Sequence, residues 1–131
     1  AHSAINKLIQ ANFMPVFCAI THDGEGQLLN TNADTITSQV AVGMSKLYET
    51  SIYYCFELNG VLRDINDKDS VVKHIDSKTY QDLLDKGIIA DGMLPKLENC
   101  FDALYGGVHE INMGNTSMLT QENDNFTKIT L

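Results

Sequence analysis

Hydrophobic positions recur along the 131-residue chain in two rhythms, one helical and one strand-like. Ala4, Ile5, Leu8, Ile9 and Phe13 fall at helical spacing behind Ser3. The run MPVFCAIT that follows reads as a buried strand, and HDGEGQ as a turn. From Asn32, a residue type that caps helices well, Ala33, Ile36, Val40, Met44 and Leu47 line one helix face. SIYYCFEL is apolar and β-rich throughout, which predicts a strand covered on both faces. NGVLRDINDKDS is a polar excursion, and VVKHI a short strand. Ser77 is placed to cap a helix over KTYQDLLDK that Gly87 ends. A further helix has Asp91 and Gly92 as candidate caps, Pro95 in its first turn, and Leu97, Cys100, Phe101 and Leu104 on its apolar face. Gly106-Gly107 stops it, and VHEIN and FTKITL read as closing strands.

Alternation of helices and strands in this order predicts an α/β domain with a mainly parallel sheet and helices on its faces, a three-layer α/β/α sandwich. Ligands of such sheets bind at the carboxyl ends of the strands, where loops meet helix starts. The loops at 22–34, 57–64 and 88–96 are therefore expected to share one rim. No internal repeat, linker or low-complexity run interrupts the pattern.

Composition narrows the class of partner. A net charge of −8 argues against nucleic acid or an anionic membrane surface, both bound mainly through lysine and arginine. The apolar runs are far shorter than a membrane span, and no basic-then-apolar leader opens the chain. The chain does not begin with methionine, so its start is expected to be processed, engineered or cut. Cys18, Cys55 and Cys100 are odd in number, widely spaced and set in apolar runs, the pattern of buried reduced thiols in a cytoplasmic protein. His2, His22, His74 and His109 have no metal-ligand spacing and read as surface residues. No metal site is expected from protein side chains.

Lys96 is the residue that needs explaining. A cation in the first turn of a helix faces the positive end of the helix dipole, at a cost of roughly 0.3–1 kcal/mol. Two readings stand at this point. The lysine is solvated, or an anion such as phosphate sits between it and the orphan N–H groups of the helix start. Asn32 and Asp34 are open in the same way: a cap and a dipole-complementing carboxylate, or ligands.

Three stretches, NTNADT, GVLRD and GIIADGMLPKLENCFDALYGGV, taken in this order resemble the carboxyl-terminal half of acetylglutamate kinases, in the amino acid kinase superfamily. The resemblance runs from about Ala4 to the end. It implies an amino acid kinase-like fold of which residues 1–131 are the nucleotide-binding half, with the amino-terminal half absent. It also implies transfer of the γ-phosphoryl of ATP to the side-chain carboxylate of N-acetyl-L-glutamate. By resemblance, Lys96 stabilises the transferring phosphoryl group and Asp34 positions the catalytic lysines, while Asn30 and Asn32 hold the acylated amino acid. Glu57, Leu58, Asn59, Gly60, Val61 and Leu62 surround the nucleotide, with Ile88, Ile89, Ala90, Gly92 and Met93 as a second contacting segment. ATP brings Mg²⁺ on its own phosphates, and the full-length protein is implied to be a homo-oligomer.

The chemistry suits these residue types. A carboxylate acceptor is already ionised at neutral pH, so no general base is required, and phosphoryl transfer needs alignment and positive charge. Phe56-Glu57 departs from the family's Thr or Ser followed by Asp, and YETS reads as an insertion. Two alternatives remain: a non-catalytic nucleotide-binding module, and a kinase of the same superfamily acting on another carboxylate, a carbamate or a nucleoside monophosphate.

Overall fold

The computed structural model describes residues 2–89, 92–120 and 124–131. Helix α1 (His2–Gln10) is followed by strands β1 (Ile20–His22) and β2 (Leu28–Asn30), then helix α2 (Ala33–Met44) and strand β3 (Ser51–Cys55). Strand β4 (His74–Ile75), helices α3 (Ser77–Asp85) and α4 (Leu94–Tyr105), strand β5 (Glu110–Gly114), a 3-10 turn (Thr116–Thr120) and strand β6 (Thr127–Ile129) complete the described order.

Strands β3, β5, β6 and β4 form a four-stranded sheet in that spatial order. The β3–β5 and β4–β6 pairs are parallel and β5–β6 is antiparallel, so the α/β class with a mainly parallel sheet is borne out. In register, Ile52 lies beside Ile111 and Tyr54 beside Met113, which sets all of them on one face. That face meets Leu97, Cys100, Phe101 and Leu104 of α4 and Leu83 of α3 in a single core cluster. Tyr80 of α3 stacks on Phe101 of α4 with ring centres 4.9 Å apart.

Helix ends follow local chemistry. The Asn32 side chain accepts from the N–H groups of Asp34 and Thr35, as its type and place predict. Gly87 and Gly107 both take positive φ, +64° and +106°. Each closes its helix with the same two bonds: Ile88 N–H to Leu83 and Gly87 N–H to Leu84, then Val108 N–H to Ala103 and Gly107 N–H to Leu104. Ser77, by contrast, is not the cap of α3. Asp76 is, accepting from Thr79 N–H at 2.7 Å, and this bond holds its carboxyl below the usual range.

Three expectations are overturned by the same cause. The run 14–21 is not a buried strand: only its end pairs, antiparallel to β2 across the HDGEGQ turn, and Met14 and Val16 are 89% and 90% exposed. Strand β3 is covered on one face only, with Ile52 and Tyr54 buried and Ser51, Tyr53 and Cys55 exposed. Cys18 and Cys55 are exposed as well, and only Cys100 is a buried thiol. All lie on a side of the molecule that the described residues leave largely open. Apolar composition predicts burial only when something is there to bury it.

Candidate functional site

The rim expected from the sequence forms at the carboxyl end of β3. Helices α2 and α4 start there together, and each brings one charged side chain. Asp34 occupies the first turn of α2, and Lys96 that of α4. The Lys96 ammonium donates to Asp34 Oδ2 in a charge-assisted bond. Both side chains are about 70% covered.

This pairing answers part of the Lys96 puzzle. The carboxylate from α2 offsets the unfavourable position of the cation at the start of α4, without any ligand. The two helix starts nevertheless differ. The N–H groups of α2 are taken by Asn32, whereas α4 begins at Met93 with no side-chain cap and with Pro95 in its first turn. Of the two candidate caps, Gly92 has no side chain to offer, and Asp91 lies outside the described residues. Lys96 keeps two N–H donors without an acceptor among the described residues. The pair therefore presents donors and a cation to the rim rather than a closed ion pair.

Beneath the ammonium lies Tyr54. Its ring centre is 5.3 Å from Lys96 Nζ. Its hydroxyl shares a 3.0 Å hydrogen bond with Ser38 and donates to the Asp34 carbonyl at 3.3 Å. Burial raises the Tyr54 phenol above its ordinary value; Ser38 opposes this. Cys100, one turn along α4 from Lys96, has its thiol pushed up to about 12 by burial, so it stays neutral beside the cation. Sequence reading missed Tyr54, since it appeared only as one apolar position in a strand.

The other expected residues divide. Asn30 and Asn32 are both exposed on the approach to α2, but the Asn32 side-chain oxygen is occupied by its capping bonds. Glu57, Leu58, Asn59 and Leu62 line a small cleft of about 40 Å³, which also includes Lys68, a cation not singled out from the sequence. The Asn59 side chain accepts from Asn115, joining this loop to the end of β5. Val61 and Leu62 turn their side chains into the core, and the Val61 N–H donates to Thr127 Oγ1 at 2.8 Å. Gly60 is needed for packing: a Cβ there would lie 2.5 Å from Thr127 Oγ1 and 2.9 Å from Val71 Cγ1.

Ile88, Ile89 and Met93 pack partly buried against the core. Gly92 is exposed, and Ala90 lies outside the described residues. A groove of about 560 Å³ lies elsewhere, between residues 17–19, α2 and β3, and is lined by none of the expected site residues. Among the described residues no group of three or more His, Cys, Asp or Glu could hold a metal ion, and no helix is long and apolar enough to cross a membrane.

Comparison with known proteins bears on the family of the chain. The chain is 47% identical over 104 residues to the acetylglutamate kinase of Cytophaga hutchinsonii, a match covering 79% of this chain and 39% of that protein. It is 45% identical over 107 residues to the acetylglutamate kinase of Bacteroides fragilis, covering 82% and 41%. It thus spans about two-fifths of the length of these curated relatives. The N-acetylglutamate synthase of Neisseria gonorrhoeae shares the fold at a TM-score of 0.82 and 20% identity, over 99% of this chain and 30% of that one. The carbamate kinase of Giardia lamblia does so at 0.70 and 15%, over 98% and 48%. Residues 1–115 match the amino acid kinase family, and the chain belongs to that family.

Proposed function

We propose that this chain forms the phosphoryl-handling part of an ATP-dependent kinase whose acceptor is the side-chain carboxylate of N-acetyl-L-glutamate. The observation that carries the reading is the Lys96–Asp34 pair, set where two helix starts meet and with two lysine donors left over among the described residues.

The geometry of the pair supports the following roles. Asp34 holds the Lys96 ammonium by one N–H, leaving the charge and the remaining donors directed at the rim. Positive charge there favours the state in which negative charge spreads over the transferring group's oxygens. The uncapped N–H groups of α4 add donors from the same side. Residues 57–62, whose loop includes a small cleft, and the segment 88–93 are assigned to the nucleotide by the family resemblance. Asn30 and Asn32 lie on the acceptor side. Bound Mg·ATP would supply the phosphoryl group and the divalent charge. No protein base is needed, since the acceptor carboxylate is ionised at neutral pH.

Catalysis belongs to a complete domain, so the 131-residue chain alone is expected to release no ADP. The unpaired apolar run at 14–19 and the open side of β3 are the surfaces through which the rest of such a domain would join it. The test is a hybrid in which this chain replaces the matched stretch of the Cytophaga hutchinsonii kinase. The hybrid should phosphorylate N-acetyl-L-glutamate. Lys96→Met should lower its turnover about 10²–10³-fold while changing the KM for ATP little, the pattern of a group that acts on charge developing in the transition state. A folded hybrid without activity, or a Lys96→Met hybrid with unchanged turnover, would remove the assignment.

A further inference from the structure

We infer that Tyr54 is a positioning residue of this site: its ring supports the Lys96 ammonium while its hydroxyl fixes the backbone that carries Asp34. The inference rests on the kinase reading and adds a member that neither the sequence pattern nor the resemblance assigned.

The geometry is a three-way junction. Tyr54 stands on β3 and touches both helices that carry the charged pair. On the α4 side, Lys96 Nζ lies 5.3 Å from the ring centre, inside the roughly 6 Å range of a cation–π contact. On the α2 side, the hydroxyl bonds to Ser38 at 3.0 Å and to the Asp34 carbonyl at 3.3 Å. Tyr54 is 7% exposed and packs in the core, so the ring itself is held.

An aromatic face suits this task better than a second carboxylate or an amide. It attracts the cation without occupying one of the N–H donors along a lone pair, so the two donors that Asp34 leaves stay available. It also brings no full charge that would weaken the attraction of Lys96 for a phosphate. An aliphatic residue in the same place would fill the space but offer the ammonium nothing, and would leave Ser38 without its partner. The neutral Cys100 thiol on the neighbouring turn keeps the surroundings free of a competing anion.

Two measurements test this. In the 131-residue chain, the ε-methylene proton signals of Lys96 should be displaced upfield by the Tyr54 ring current. The displacement should persist in Tyr54→Phe and vanish in Tyr54→Leu. In the hybrid enzyme, Tyr54→Leu should lower kcat about tenfold, as expected for a cation–π contact of the stronger kind, with the KM for ATP within about twofold. Tyr54→Phe, which keeps the ring but loses the hydroxyl's hold on the Asp34 backbone, should be intermediate, with kcat about threefold below the unsubstituted hybrid. A merely structural tyrosine predicts lowered melting temperature with kcat intact. The proposal is overturned if a folded Tyr54→Leu hybrid keeps full kcat, if Tyr54→Phe is as slow as Tyr54→Leu, or if Lys96 shows no ring-current displacement in the unsubstituted chain. Should Tyr54→Leu fail to fold, Tyr54→Met takes its place in both measurements. An inactive unsubstituted hybrid breaks the kinase reading instead, and the Lys96 signals in the chain itself then decide whether Tyr54 holds the ammonium.

Discussion

Residues 14–20 and strand β5 are both short runs with several apolar side chains, yet they end in opposite environments. In β5, Ile111 and Met113 are 0% exposed. In the earlier run Met14 and Val16 lie almost wholly in solvent, and Ile20 is 55% exposed although it pairs with Asn30. The difference is in the neighbours. Strand β5 has β3 on one side, β6 on the other and α4 above it. The earlier run has a partner only at its last residues, in a two-stranded hairpin that packs no buried face. The molecule therefore has a closed side, built on α3, α4 and the inner strands, and an open side formed by residues 13–30 and the outer surface of β3. The charged pair and Tyr54 sit between the two.

The two regions are distinguished most directly by removing a large side chain from each. Leu97→Ala, in the closed core at 0% exposure, should cost about 2–5 kcal/mol in urea unfolding. Val16→Ala should stay within about 0.5 kcal/mol, because little apolar surface is removed from water there on folding. Equal losses at both sites would show that the open side is buried in solution. Gly60→Ala comes next, at about 1–3 kcal/mol, since the added methyl displaces Thr127 and strains its bond to the Val61 N–H.

Thiol chemistry sharpens the same division without changing stability. Cys18 and Cys55 should react with a thiol reagent in the native chain, whereas Cys100 should react only on unfolding. Protection of Cys18 or Cys55 when the chain is part of the hybrid enzyme would mark the open side as the joining surface.

The smallest expected effect is on pH dependence, at the closed side. Hydrogen bonds from Lys128 and Asn112 hold the Glu110 carboxyl below the ordinary glutamate value of about 4.3. A carboxyl whose folded value is depressed adds stability that is present above its unfolded value and is lost as pH falls through the folded one. Lys128 is 45% exposed, so solvent screening limits the contribution to roughly 0.5 kcal/mol. Glu110→Gln should therefore lower stability slightly at pH 7 and make the acid limb below about pH 4 less steep. An unchanged acid limb would mean that the pair is solvated.

Much of this protein was determined by the sequence alone, through interactions that span a few residues. Asn32 caps α2, and Gly87 and Gly107 close α3 and α4, because caps and positive-φ turns depend on side chains and backbone within one helical turn. The helical spacing of Leu97, Cys100, Phe101 and Leu104 marked the buried face of α4 for the same reason. The pattern NTNADT with GMLPK marked Asp34 and Lys96, although only the family resemblance connected them across 62 positions. What the tertiary structure decided was everything that depends on a neighbour distant in the chain. It decided that Asp34 rather than a ligand offsets Lys96, and that Tyr54 faces the ammonium instead of simply filling the core. It decided, too, that equally apolar runs are buried at β5 and bare at 14–19. Hydrophobicity states a tendency to leave water; where no partner strand or helix is supplied, that tendency remains as exposed surface.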